Sequence, residues 1–442
     1  MEFLIYIVTI FIAVVSIFIL RQRRSLLFLA YLTYCIFIVV PSYPVYYSSF
    51  LGYNYISYFI SVGIFQVILV VGLFIIKHND IDVHQISIDK NELNSSQILI
   101  AIAIIIITIL YIGIGVRKFG SFPLTSYLYG IRPVLFRMTF WRETVKDLPL
   151  GSLIRFIAKT GSLFLGIKLL LCRQKKIATF VLIISFFANS LEGTKSSLII
   201  WGLPLVLFYI FVKRAHKKKL FQLFFIIAII MIGTVYLTTL ETQSNAETAI
   251  RENLLPRIFI APSKVSQTHY FFFKDSSHLY GATDNLILWL RGGPNKVFKS
   301  NALDYDNYVM RMYYYQYRNR EEITYGGMNA PAFIYGWVDF GVFGVLLIAI
   351  LSVISLSLID NLIKKRYFSS IFVIIVIYFV INFITSTNYL SAFFGIESIG
   401  ALVILDMLIG KETCLKGTPV MWLIFIIIPS LYLLGSVVSR LI

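Results

Sequence analysis

The stretch FLIYIVTIFIAVVSIFIL, Phe3 to Leu20, runs without a charge and is followed at once by Arg21, Arg23 and Arg24. An apolar run of this length reads as a helix crossing a bilayer, because about 20 residues rising 1.5 Å each cover a hydrocarbon layer of roughly 30 Å. The arginines stand where a secretory leader would carry small residues for cleavage. The run is therefore expected to be retained as a helix.

The rest of the chain repeats this pattern. Of its 442 residues, 58% are hydrophobic and 14% charged, against about 25% charged in an ordinary soluble domain. Mean hydropathy is +0.81. Such a composition excludes a soluble globular enzyme and a disordered chain. It predicts one all-α polytopic membrane domain over residues 1–442, with about twelve transmembrane helices. The expected spans are 3–20, 25–44, 56–76, 97–116, 152–171, 177–192, 196–212, 220–240, 329–356, 367–385, 392–410 and 419–439. The sixth and seventh are short and tightly linked. No internal repeat is evident, which argues against the repeat-built transporter plans.

The net charge of +17 would point to nucleic acid in a soluble protein. Here the basic residues orient the helices. Arg21, Arg23 and Arg24, Arg173, Lys175 and Lys176, Lys213, Arg214 and Lys217 to Lys219, Lys364 to Arg366, and Lys411 with Lys416 all fall in alternate short loops. The opposite short loops, 45–55 and 386–391, contain no basic residue. The positive-inside rule makes the first set cytoplasmic and turns both termini outward. Loop 77–96, with four acids and two lysines, is cytoplasmic by alternation alone. Cys35, Cys172 and Cys414 avoid the predicted outer loops, so no structural disulfide is expected.

Two outer loops are long: a moderate one at 117–151 and a large one at 241–328, the latter with ten basic and nine acidic residues. Long ordered loops usually carry function. In the first, Arg137 and Arg142 are anion-binding candidates. In the helix that follows, Arg155 and Lys159 are four residues apart and expected on one face just inside the outer boundary. Cations there either hold an anionic group in a cavity or snorkel to head groups. The tip Glu192-Gly193-Thr194-Lys195 joins two short helices. Lys195 is a point charge suited to phosphate, and Glu192 is a candidate general base.

In the large loop, Arg251, Arg257, Lys264, His269, Arg291, Arg311 and Arg318 are candidates for anion or sugar binding. Asp304 and Asp306 lie along the same loop. The tyrosines around Arg311 to Arg318 suit sugar faces or an interfacial aromatic belt. Asn329 is placed to cap the next helix, with Pro331 in its first turn. Glu397 and Asp406 are expected to face inward, Asp406 near the cytoplasmic end in a structural role. No Cys/His spacing marks a metal site, and neither a phosphate-binding P-loop nor a nucleophile elbow occurs. No nucleic-acid partner is expected on an outer face.

The chain resembles the Wzy-type O-antigen (oligosaccharide repeat-unit) polymerases. The likeness rests on its twelve or so spans, its Ile, Phe and Tyr enrichment, and one moderate and one very large outer loop. Leu191-Glu192-Gly193-Thr194-Lys195-Ser196-Ser197-Leu198 is similar to that family's short charged hairpin, with Lys195 where arginine is usual. Arg257 resembles its loop arginine. Tyr325-Gly326-Gly327 through Gly336, ending in Phe340-Gly341-Val342-Phe343-Gly344, resembles its Gly-rich approach to the helix after the large loop. The resemblance implies a glycosyltransferase of the bacterial plasma (inner) membrane, with its active face extracytoplasmic. It would transfer an undecaprenyl-diphosphate-linked glycan to the next lipid-linked repeat unit, without cofactor or metal. Implied partners are those glycans, membrane lipids and a chain-length-regulating co-polymerase. Catalytic roles then fall to Glu192, Arg257 and Asp304. The alternatives are an O-antigen ligase and a lipid-linked oligosaccharide flippase.

Overall fold

A computed structural model describes residues 1–23, 25–76, 93–119, 151–191, 195–211, 217–242, 245–275, 308–313, 329–365, 367–395 and 398–410. Its elements are α1 (Glu2–Leu20), α2 (Leu26–Ser49), α3 (Ile56–Ile75), α4 (Ser95–Phe119), α5 (Gly151–Phe156, Ile157–Gly161 and Ser162–Leu171 in one run), α6 (Lys175–Ser190), α7 (Lys195–Phe211), α8 (Lys217–Thr242), α9 (Ala261–Phe273), α10 (Ala332–Lys364), α11 (Ser370–Ser386), α12 (Tyr389–Phe394) and α13 (Ile399–Leu405, continued by Asp406–Gly410). Among the described residues there is no strand, and six helices are long and apolar enough to cross a membrane. Shorter apolar helices occur at Ile199–Tyr209, Phe225–Leu240 and Ser370–Ser386. The predicted span 419–439 and most of loops 77–96 and 117–151 lie outside the described residues.

Residue choice explains where helices begin. The side chains of Ser25, Ser369, Asn388 and Ser398 accept the backbone N–H of Phe28, Phe372, Ser391 and Ala401. Each satisfies one of the donors that the first turn leaves open. Buried charges complete the ends. Asp360 accepts from the N–H of Leu26 and Leu27. Asp406 accepts from the N–H and hydroxyl of Ser369. The Lys168 ammonium donates to the carbonyl of Gly410 at 2.8 Å. Acids thus sit at helix N-termini and the lysine at a C-terminus, as the helix dipole favours. All three contacts lie beside the basic segments 21–23, 364–365 and 173–176, so those segments share one end of the bundle. The structural role expected of Asp406 takes this form; Glu397 lies outside the described residues.

The far end departs from the expected plan. Residues 246–273, expected as loop, are helical, in the turns Ala246–Thr248, Ala249–Leu254 and Pro256–Ile260 and then α9. Phe259 stacks on Phe37, with ring centroids 5.8 Å apart. Phe37 lies halfway along α2, so this segment reaches the middle of the bundle. From there α9 climbs back until Phe271 meets Tyr53, at 4.8 Å, in the turn between α2 and α3.

The ninth span, expected at 329–356, is also not one rod. Phe340 and Gly341 leave helical geometry, Gly341 with φ +63° and ψ −144°. That region is open to glycine alone. The chain doubles back there. A Cβ on Gly336 would lie 2.5 Å from the Gly344 carbonyl oxygen, so two backbones touch where any side chain would part them. The first arm, Ala332 to Phe340, is a re-entrant half-helix. Its Phe333 packs on Tyr34 and Phe65 at mid-depth, with centroids 5.6 and 5.9 Å away. The second arm, from Val342, is about 35 Å long at 1.5 Å per residue. That length carries Asp360 to the basic end.

Candidate functional site

Two polar layers lie in the half of the bundle away from the basic loops. The first is where α9 and the re-entrant arm of α10 run side by side. Tyr270 and Trp337 rings are 4.5 Å apart, and His269 and Tyr335 rings 6.4 Å. Ser263, Ser266, Gln267, Thr268 and His269 are all buried. Ser266 bonds the Tyr58 hydroxyl at 2.8 Å, and the Gln267 amide donates to Ser42 O at 2.6 Å. His269 Nδ1 is 2.9 Å from Val265 O. A carbonyl only accepts, so Nδ1 carries the proton and Nε2 is the acceptor in the neutral ring. Tyr335 hydroxyl accepts from Ala330 N. Backbone of this irregular kind survives at membrane depth only where protein or a polar cavity surrounds it.

The second layer joins α4, α5 and α6. Residues Ile157–Gly161 form a π-helical turn inside α5, and such turns recur at functional positions. Lys159 lies in it, 6% exposed. The Asn189 amide donates to Lys159 O at 3.3 Å and to Ser185 O at 2.9 Å. Ser185 Oγ and Asn189 Oδ1 are buried and find no hydrogen-bond partner among the described residues. With 16 residues, α6 is about 24 Å long, short of a full crossing. Its last turn meets α5 at Lys159, about 12 Å in from Gly151.

The predicted site residues divide accordingly. Arg155 is half-buried and Lys159 buried. The π-helical turn that begins between them breaks the simple one-face spacing expected. Lys264 is half-buried in the first turn of α9, its ammonium 5.9 Å from the centre of the Tyr313 ring. His269 is fully buried rather than open in a loop. Arg251 and Arg311 are exposed. Asn329 is exposed and stands two residues ahead of the N-cap of the helix it is expected to cap, because Pro331 occupies that position. Proline fixes φ there without a side-chain bond. Lys195 and Arg257 fall in described helical turns, but their side chains lie outside the described set. Glu192, Asp304, Arg137, Arg142, Arg291 and Arg318 lie outside the described residues.

The buried set Ser42, Tyr58, Ser263, Ser266 and Gln267 was not anticipated. Its signal is present: Ser263, Ser266 and Gln267 follow the i, i+3, i+4 spacing of one helical face just after Pro262. Among the described residues no group of three or more His, Cys, Asp or Glu is assembled for a metal. Comparison of the chain with protein-family models, with curated proteins and with solved structures finds no match in any of the three. The fold itself defines the class, an all-α chain whose long apolar helices are those of a membrane protein.

Proposed function

We propose that this protein polymerises undecaprenyl-diphosphate-linked oligosaccharide repeat units into a surface polysaccharide, at the extracytoplasmic face of a bacterial plasma membrane. The observation that carries the reading is the re-entrant pair. The large loop, together with the segment after it, sends polar and aromatic side chains into the half of the bundle opposite the basic loops. A lipid-linked diphosphate with its sugars requires such a place, which is polar and partly dry and beside the bilayer.

In this reaction an acceptor hydroxyl oxygen attacks the anomeric carbon of the donor glycan. The carbon–oxygen bond to the diphosphate breaks, and the diphosphate leaves with the electron pair. The hydroxyl proton passes to a base, assigned to Glu192 with Asp304 behind it. Arg257, Arg155, Lys159, Lys195 and Lys264 supply positive charge to the leaving diphosphate. Charge stabilisation should be the larger contribution, because fixed cations act strongly in a site that excludes water. The test is purified protein in liposomes supplied with lipid-linked repeat units. The expected result is polymer from the native chain and none from Arg257→Ala at equal protein level. Normal polymer from Arg257→Ala would remove the assigned anion role.

One observation favours a second reading, a lipid-linked oligosaccharide flippase. Half-helices that start at mid-depth, as α9 and the first arm of α10 do, are also how transporters build central sites. The two readings differ in where repeat units accumulate when the protein is missing.

A further inference from the structure

The helix α2 is broken where the re-entrant α9 meets it. A π-helical turn, Cys35–Val39, interrupts it, and Pro41 and Pro44 follow. Proline has no N–H, so Pro44 leaves the Val40 carbonyl, four residues back, without its helical donor. The Tyr6 hydroxyl of α1 donates there instead, at 3.1 Å. Phe3 and Tyr6 also pack on Tyr43, with ring centroids 5.1 and 5.3 Å away, so α1 holds the outer half of α2 from one side. On the other side the buried Gln267 of α9 donates its amide to the Ser42 carbonyl, between the two prolines, at 2.6 Å. Phe259, just ahead of α9, stacks on Phe37 in the π-helical turn. The broken helix thus presents two carbonyls to its neighbours, and α1 and α9 each take one.

We propose that this break is a socket for the re-entrant segment, with Gln267 as a positioning residue that fixes the depth of α9 and with it the Lys264 ammonium. Lys264 stands one helical turn ahead of Gln267 on the same helix, so a slip of α9 along α2 carries the ammonium with it. The bond between Ser266 and the Tyr58 hydroxyl joins two rotatable groups that follow such a slip. The Ser42 carbonyl is fixed in the backbone, so the Gln267 bond sets the register. This assignment deepens the reaction proposed above by naming what holds one of its cations, and it rests on that reading for the role of Lys264.

Two variants test the socket from its two sides. Gln267→Met keeps the side-chain length and removes the donor to Ser42. Tyr6→Phe removes only the hydroxyl on Val40, so a folding defect in one variant leaves the other to decide. Spin labels on Ile75→Cys and Ile260→Cys, both exposed, report where the start of α9 stands against α3. They are placed in the full chain in nanodiscs, with its own cysteines replaced by alanine. The distance distribution should be narrow with the socket intact and should shift or broaden in both variants. In the liposome assay with lipid-linked repeat units, Gln267→Met should lower kcat about tenfold or more and leave KM nearly unchanged, since a misplacement of about 1 Å costs as much as roughly 100-fold. A purely structural role would lower the amount of folded protein and leave kcat per folded molecule intact. An unchanged distance in both folded variants would overturn the socket. A shifted distance with native kcat and KM would overturn the positioning role. A shifted distance in a protein whose native chain makes no polymer supports the socket and removes the reaction.

Discussion

Asp360, near the end of α10, accepts the backbone N–H of Leu26 at 2.8 Å and that of Leu27 at 3.3 Å. Ser25 takes the next donor, Phe28 N, at 3.0 Å. The first three donors of α2 are therefore satisfied by one local hydroxyl and one carboxylate more than 300 residues away in sequence. Local sequence shows the serine and hides the aspartate.

That relationship makes the first prediction. Asp360→Ala leaves two buried N–H groups without an acceptor, a loss of about 1–3 kcal/mol. Asp360→Asn keeps one amide oxygen and should lose less. Thermal unfolding in detergent should rank the native chain above Asn and Asn above Ala. Equal midpoints for all three would remove the capping role.

The second prediction concerns the turn that makes α10 re-entrant. At φ +63° and ψ −144°, Gly341 occupies a region that costs other residues about 1–3 kcal/mol. Gly341→Val should destabilise the protein and abolish activity together. Gly344→Leu should do the same by parting the Gly336 and Gly344 backbones. A distance between spin labels on Asn329→Cys and Ile350→Cys, which are exposed and face each other across the two arms by the Gly336–Gly344 pairing, in a chain whose own cysteines are replaced by alanine, should be short with Gly341 present and lengthen in Gly341→Val. An unchanged distance would mean the hairpin does not depend on glycine.

Much of the bundle is legible in sequence because apolar length is a local quantity. Phe3 to Leu20 announces α1, and Ser369 announces the start of α11. What stays hidden is non-local. The run from Ala332 to Lys364 is apolar throughout, and only the backbone angles of Gly341 reveal two arms. Ser263, Ser266 and Gln267 look like loop residues until Tyr58 and Ser42 are brought against them. Asn329 was assigned the cap on side-chain preference, and the backbone begins the helix after Pro331. In the site, Arg155 and Lys159 were visible as unusual charges. The burial of Lys159 goes with the last turn of α6, whose Asn189 amide donates to the Lys159 carbonyl, and composition does not weigh that packing.

The third prediction uses Lys168, buried at 4% exposure with its ammonium on the Gly410 carbonyl. Lys168→Met keeps the apolar stem and removes the donor. It should destabilise the protein by about 1.5–3 kcal/mol, the range for a hydrogen bond to a charged group. Chemical denaturation in detergent would measure it, and a change below about 0.5 kcal/mol, the size of an ordinary surface substitution, would mean the ammonium contributes nothing at that helix end.

The fourth prediction fixes orientation. Asn54 is exposed between α2 and α3, at the end opposite Asp360. With the native cysteines replaced by alanine, Asn54→Cys should react with an impermeant maleimide added to intact cells, and Lys175→Cys only after permeabilisation. The reversed pattern would place the re-entrant segments on the cytoplasmic side and exclude an outer active face.

The most direct test of the proposed function is the surface-glycan banding ladder of a strain lacking this protein, with lipid-linked intermediates assigned to either membrane face. The account predicts that the ladder disappears while a single repeat unit is still displayed outside. Repeat units trapped on the cytoplasmic face would contradict it and establish the flippase reading, and full-length polymer held on the carrier lipid would establish a ligase.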